Sequence, residues 1–487
     1  MAPFYEDPLF QIREACSGCD RLEWLRPWQI VERPVLVDSD QSAKSLVIQG
    51  NLCNCWFAAS LIGLQSVRSL FEFVVPRNQS LSPRDGGIYD GSLIFRFWHY
   101  TRWINIKIDD RLPTQGGRLV FMRNSNSNEF WAALVEKAYA KMHGTYNVFD
   151  GGLTCQALTE LTGGFCDDLS LGSIHNLHNI LKRAITEEMI LVCSADQIVC
   201  SKLSESCGDI RLENRKFDGI DANHIYAVTV VNQMDGLVLY IENPCNTEDS
   251  LGIMEMGDDK YFKRKFEMSL AEFEEKFDSF GVCRIVRNAI VFEQVINSWL
   301  SKFGWRGQWL VNVSDQLSGC DFKLILALTQ MPKDWDTPGH LYYRPDLPLS
   351  YIKHIFFAIY RCPDDDLFGT EAEAPEIGLG VKVCRRVAGV PPHWLNRSTK
   401  PIAGTLGCGD LSLEIPDIQA GRYLISARTY EGEVHTKCVL RVWLCSAQPT
   451  SSLGRPLMLT GPVGYSAGPS TNSRGSVSER AEPQVLR

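Results

Sequence analysis

The period at which apolar residues recur changes along the chain, and that change limits the folds open to it. Up to about residue 170 the repeat is helical. From Cys55 onward, Phe57, Leu61, Leu64 and Phe71 fall on one helix face. A second run, NEFWAALVEKAYAKMHG, repeats Phe130, Leu134, Ala138 and Met142 at every fourth position and is closed by Gly144. A third, LTCQALTELTGG, ends on Gly163 and Gly164. Past Ser170 the runs become short and β-rich. HIYAVTVV and LVLYIENP are strand candidates, and Asp235-Gly236 between them is a turn signal. From about residue 300 to 445, WLVNV, FKLILALTQ, IFFAIYR, VKVCRRV, RYLISARTY and CVLRVWL follow, punctuated by Gly and Pro. That is the pattern of a separate antiparallel β-sandwich. Residues 447–487 are rich in Ser, Gly and Pro and are predicted to be a disordered tail, because they cannot bury enough apolar surface to fold.

The chain thus reads as α+β, with several units. Its 487 residues exceed what one compact domain holds. The expected divisions are a lead-in at 1–40, a helical unit at 41–170, a β-rich unit at 171–290, the sandwich at 300–446 and the tail. A net charge of −9 excludes general nucleic-acid binding, which needs a basic face. No apolar run reaches the length of a membrane-spanning helix, and the first residues lack a basic segment followed by an apolar one. A cytoplasmic protein is expected. Its 17 cysteines, an odd number, should then be mostly reduced thiols. Cys16 and Cys19 have metal or redox spacing, but no second pair answers them at a zinc-finger distance.

One thiol stands apart. In QGNLCNCWFAAS, Cys55 lies where the helical period begins, while Cys53 lies on the loop before it. A helix N-terminus favours the thiolate and so lowers a thiol's pKa, which makes Cys55 the better nucleophile of the two. A nucleophile needs a base, and the base needs an orienting group. His224 opens a strand candidate. With residues 232–236 as the hairpin loop, His224 lies opposite position 244, beside Asn243, whose side-chain oxygen can fix the imidazole. Pro244 should end that strand. Gln49, six residues ahead of Cys55, can donate to an oxyanion together with the Cys55 N–H.

These residues, in this order, resemble the calpains, papain-like intracellular cysteine proteases. The family's nucleophile segment reads Gln-Gly-x-Leu-Gly-Asp-Cys-Trp-Phe, and here it is QGNLCNCWF. The likeness continues through LRPWQI, FRFWHYTRWINIKIDDRLPT, EFWAALVEKAYAKMHGTY, ALTELTGG, NHIYAVTVV, LVLYIENP and MSLAEFEEKF, and through IQAGRYLISARTYEGEVHTKCVLRVWL in the last unit. It covers roughly residues 20 to 445. The resemblance implies a two-lobed papain-like core with its cleft between the lobes, followed by a β-sandwich and the tail. It makes Cys55 the nucleophile, His224 the base, Asn243 the orienting residue and Gln49 the oxyanion donor of an endopeptidase performing limited proteolysis.

The sequence also departs from the family. Cys53 and Asn54 replace Gly and Asp before the nucleophile, and Cys245 stands where the family has a Trp. Calcium is implied by the resemblance, with Glu129, Asp258 and Asp259 as its remaining ligands, but Leu46 replaces an upstream acid and the second-lobe loop is short. The sites are thus expected to be degraded and calcium binding weak. No EF-hand loop occurs, so a monomer without that dimerisation domain is expected. The implied partners are protein substrates with exposed flexible segments, with phospholipid contact through the sandwich and its acidic loop CPDDDLFGTEAEAPE. The departures also favour an alternative, a calpain-like pseudoprotease that binds or regulates.

Overall fold

The computed structural model describes residues 3–11, 21–38, 45–84, 89–174, 176–195, 220, 224–233, 236–245 and 265–286. It also describes the β-segments 289–296, 307–313, 322–331, 355–361, 376–378, 381–385, 403–407, 411–429 and 437–446. Asp258, Asp259, the Cys16/Cys19 pair, most of the acidic loop and the 447–487 segment lie outside the described residues.

Four helices organise the first part: α1 Cys55–Ser66, α2 Arg68–Val74, α3 Trp131–Met142 and α4 Thr154–Thr162. The apolar run from Cys55 is not one amphipathic helix. Every residue from Trp56 to Leu64 is buried, so α1 is a central helix with no solvent face. The run breaks at Val67, and Phe71 belongs to α2, bent by 119° from α1. Beside the break, the Ser66 hydroxyl donates to Gly63 O at 2.6 Å and competes with the helical ladder. The helix α3 runs as the spacing predicts, and α4 ends at Gly163. Between α2 and α3 lies a hairpin, β1 Ser92–His99 with β2 Arg102–Asp109, in the stretch FRFWHYTRWINIKID.

The second part is one antiparallel sheet. Its strands are β3 Phe165–Ser170, β4 Met189–Ala195, β5 His224–Gln233, β6 Gly236–Glu242, β7 Lys265–Met268 and β8 Ser279–Arg284. They lie in the order β7-β6-β5-β4-β8-β3. Strand alternation sorts the side chains. Ile190, Val192, Ala227 and Cys283 join the apolar cluster that holds α1 and α3. Leu191, Cys193, Tyr226, Val228, Leu239 and Ile241 face the other side, beneath α5 Leu177–Thr186 and α6 Leu270–Lys276. Gly63 of α1 allows the close contact on the first face, since a Cβ there would lie 2.2 Å from Ile190 Cγ2.

The described strands from Ala289 onward form two antiparallel sheets. One orders β9 Ala289–Ile296, β18 Lys437–Ser446, β11 Phe322–Met331 and β16 Leu411–Ile415. The other orders β13 Glu376–Gly378, β14 Val381–Arg385, β10 Gly307–Val313, β17 Gly421–Thr429, β12 Ile355–Arg361 and β15 Ala403–Gly407. Residues spaced by two from both sheets make one apolar cluster, including Trp309, Val311, Leu324, Leu326, Ile425, Leu440 and Val442. From the other face of the first sheet, Ile325, Ala327 and Trp443 pack on Phe165 of β3. Arg441 of β18 donates at 2.8 Å to the carbonyls of both Gly163 and Gly164, where α4 ends. That is where a cation is best placed on a helix.

Candidate active site

The loop before α1 is held from three directions. Gly50 lies so close to the Phe121 backbone that a Cβ there would be 2.3 Å from it. Gln49 N–H donates to Pro244 O at 2.8 Å, and Gln49 pairs with Cys245 in a parallel bridge. The third hold is Asn54. At a helix N-cap, Asn usually bonds the exposed amides of the first turn. Here its Nδ2 donates instead to Glu136 Oε1 of α3 at 2.7 Å. The first helical amides are thus left without a side-chain cap, and the N–H of Trp56 points at the Cys55 sulfur.

The second hold brings the hairpin to Cys55, and its register differs by one residue from the one expected. The ladder runs from Gln233↔Gly236 to Ala227↔Glu242. Carried one step further, it sets Asn243 opposite Tyr226, and two steps beyond that it sets position 245, not 244, opposite His224. The slip matters because side chains alternate between faces. In the expected register, His224 and Asn243 would point to opposite faces. In the observed one they are diagonal neighbours on the same face. His224 Nε2 lies 2.7 Å from Asn243 Oδ1, and the imidazole stands edge-on to Tyr226 at 4.8 Å. The strand β6 ends at Glu242, just before Asn243 and Pro244.

The tautomer follows from a second bond. Asn243 Oδ1 also accepts the N–H of Cys245 at 2.9 Å, so the atom facing that amide must be the oxygen. His224 Nε2 therefore carries the hydrogen, which leaves Nδ1 as the basic nitrogen of the neutral ring. Asn243 is buried. The neighbouring residue, Ile225, presents its backbone N–H to the Cys55 sulfur, which puts the nucleophile candidate beside the base candidate.

The electrostatics of Cys55 differ from the sequence expectation. Burial pushes its thiol up, and this outweighs the N–H groups of Ile225 and Trp56, which favour the anion. The nearby thiols of Cys53 and Cys245 push it the same way. A helix start does not by itself lower a pKa when the sulfur is also shielded from water. Gln49 Nε2 donates to Leu52 O at 2.7 Å, and its Oε1 is buried without a partner among the described residues.

Glu129 lies elsewhere, in a different network. Its Oε1 accepts the Asp38 N–H at 3.0 Å, and its Oε2 is buried without a partner among the described residues. Burial raises its carboxyl, countered in part by the Ser45 hydroxyl and the Asp38 amide. Asp38 accepts from Asn126 Nδ2 at 2.9 Å. Among the described residues, no group of three or more His, Cys, Asp or Glu is placed to hold a metal ion. Glu129 and Asp38 bring two carboxylates to this network, and Asp258 and Asp259, the other acids named for calcium, lie outside the described residues.

Sequence reasoning missed Glu136. It is buried among apolar residues, its oxygens taking the Asn54 amide and the Met122 N–H, and burial raises its carboxyl to about 8. The available signal was a charged residue in the middle of the AALVEKAYA run, a helix whose every residue is buried.

A sequence profile described as calpain family cysteine protease matches residues 3–252. The chain belongs to the calpain family. Calpain clp-1 of Caenorhabditis elegans is 31% identical over 310 residues, 58% of this chain and 38% of that protein. Calpain-A of Drosophila melanogaster is 39% identical over 198 residues, 39% of this chain and 23% of that protein. Calpain-B of the same fly is 26% identical over 500 aligned positions, 90% of this chain and 49% of that protein. The chain thus spans less than half the length of these three calpain relatives. No single helix among the described residues is long and apolar enough to cross a membrane.

Proposed function

We propose that this calpain is a cysteine endopeptidase that works through Cys55, His224 and Asn243. The observation that carries the reading is the 2.7 Å contact of His224 Nε2 with Asn243 Oδ1, made in the tautomer that leaves Nδ1 without a hydrogen. His224 Nδ1 takes the Cys55 proton as the sulfur attacks the peptide carbonyl carbon. The resulting oxyanion receives the N–H of Cys55 and the second N–H of Gln49. The imidazolium then protonates the leaving amine, and a water activated by the same ring hydrolyses the acyl-enzyme. Because burial favours the neutral thiol, the proton transfer to His224 is the step that makes the thiolate. The substrates are exposed flexible segments of cytoplasmic proteins, and limited proteolysis is the outcome.

The two sheets beyond residue 289 are read as a calpain-type β-sandwich docked through Arg441, and residues 447–487 as a dispensable tail. Phospholipid contact through that unit and a monomeric state complete the proposal. With Glu129, Asp258 and Asp259 as the remaining acidic ligands, calcium binds weakly, and cleavage depends on it far less steeply than in conventional calpains.

A second reading is a calpain-like pseudoprotease. The raised Cys55 thiol and the replacements at Cys53, Asn54 and Cys245 favour it. Turnover of an unfolded protein substrate, measured with wild type and Cys55→Ala in chelator and in millimolar calcium, separates the two. Cleavage by wild type alone supports the peptidase, and equal inactivity of both proteins supports the pseudoprotease.

A further inference from the structure

A second group of thiols lies away from the candidate active site. Cys155 is in the first turn of α4, and Cys166 is the second residue of β3. Their sulfurs are 2.7 Å apart. Cys283 of β8 is the direct cross-strand partner of Cys166, and its sulfur lies 3.4 Å from the Thr162 hydroxyl. We propose that Cys155 and Cys166 are a redox pair which closes to a disulfide when a hydroperoxide oxidises Cys155, stapling α4 to the sheet.

The exposures of the two thiols assign their roles. Cys155 is half-buried and within reach of a small oxidant, whereas Cys166 is fully enclosed. Cys155 is therefore the sulfur that meets the peroxide. Its thiolate attacks one peroxide oxygen and breaks the O–O bond, giving a sulfenic acid and releasing hydroxide or alkoxide. The Cys166 sulfur then attacks the sulfenyl sulfur. An S–S bond forms, the S–OH bond breaks, and the departing hydroxide leaves as water with the Cys166 proton. Two electrons pass from the two thiols to the peroxide. Burial and the neighbouring thiols hold the proton on Cys166, so it is not the thiol that reacts first; its part in the second step rests on its contact with the Cys155 sulfur.

Little has to move. The sulfurs are within about 1 Å of bonding distance. Cys155 also packs on β8, because a Cβ on Gly281 would lie 3.9 Å from its sulfur. The bond would join the helix that packs on α1 to the strand that packs on Trp443, and so tie the first lobe to the sheet. Nothing in this inference requires peptidase activity.

The test is peptide mapping of the full chain before and after a short exposure to hydrogen peroxide. Trypsin cuts after Lys141 and next after Lys182, so both cysteines fall on one peptide that holds no other. The expected product is that peptide lighter by two hydrogens, with neither thiol open to alkylation until reductant is added. The oxidised protein should also melt several degrees higher. In Cys155→Ser, Cys166 should remain reduced after the same exposure. Cys155→Ala supplies a second variant, and the melting temperatures of both reduced variants show whether they fold as wild type does. Two results would overturn the proposal: a Cys166–Cys283 link, or conversion of Cys155 to sulfinic acid with Cys166 still alkylatable.

Discussion

Replacing Glu136 by Gln should flatten a pH dependence of stability that the wild type carries. Glu136 is fully buried, and no ion pair reaches it among the described residues. Burial lifts its carboxyl from an ordinary 4.5 to about 8. A raised acid holds its proton in the folded chain where the unfolded chain has lost it. Stability therefore falls as pH rises from about 4.5 to about 8 and levels off above that. The slope is a little over 1 kcal/mol per pH unit, which sets a ceiling of roughly 4–5 kcal/mol across the window. Gln keeps the shape and carries no charge. Asn54 Oδ1 is buried without a partner among the described residues, so a turned Asn54 amide can accept from the new Gln side chain. Urea denaturation of both proteins at steps from pH 5 to 9, followed by tryptophan fluorescence, reads the difference directly. The two proteins should be of similar stability at pH 5 and diverge by ~2–4 kcal/mol at pH 8 to 9, with the variant the more stable. Parallel curves across that range would refute a neutral buried Glu136.

The remaining predictions concern single contacts. Asn54→Asp puts a second carboxyl against Glu136 and should destabilise the protein increasingly above pH 6, as followed by melting temperature. Arg441→Met removes two bonds to the carbonyls that end α4 and should cost about 2–3 kcal/mol in denaturant unfolding, with peptide-bond cleavage less affected than stability. His224→Ala should lower kcat/KM at least ~10⁴-fold, whereas Asn243→Ala, which loses only the orienting group, should keep a rate ~10²-fold below wild type. Cys53→Ala should retain activity in the same peptidase assay.

How much the sequence disclosed depended on the range of the interaction concerned. Helices α3 and α4 and strands β5 and β6 were legible because their periods and end signals are local. The start of α1 at Cys55 was legible, but its end was not, since a run that is apolar all round has no amphipathic period to show the break at Val67. The pairing of His224 with Asn243 was legible as a hairpin but misplaced by one residue. The ladder pairs residues as far as Gln233 and Gly236, and a loop length guessed from composition cannot fix that register. The thiol's raised pKa and the Asn54–Glu136 bond were hidden for a different reason. Both depend on how much water long-range packing excludes, and a linear motif does not encode that.

The central claim is that His224, oriented by Asn243, makes Cys55 nucleophilic despite its burial. The most direct measurement is the rate at which a peptidyl thiol-directed electrophile labels the protein as pH is varied, with the modified cysteine located by mass spectrometry. In wild type, the label should fall on Cys55 at neutral pH. In His224→Ala it should slow by at least tenfold there and recover only at alkaline pH, above the range of an ordinary thiol. Labelling of Cys53 or Cys245 instead, or the same pH profile in both proteins, would contradict the account.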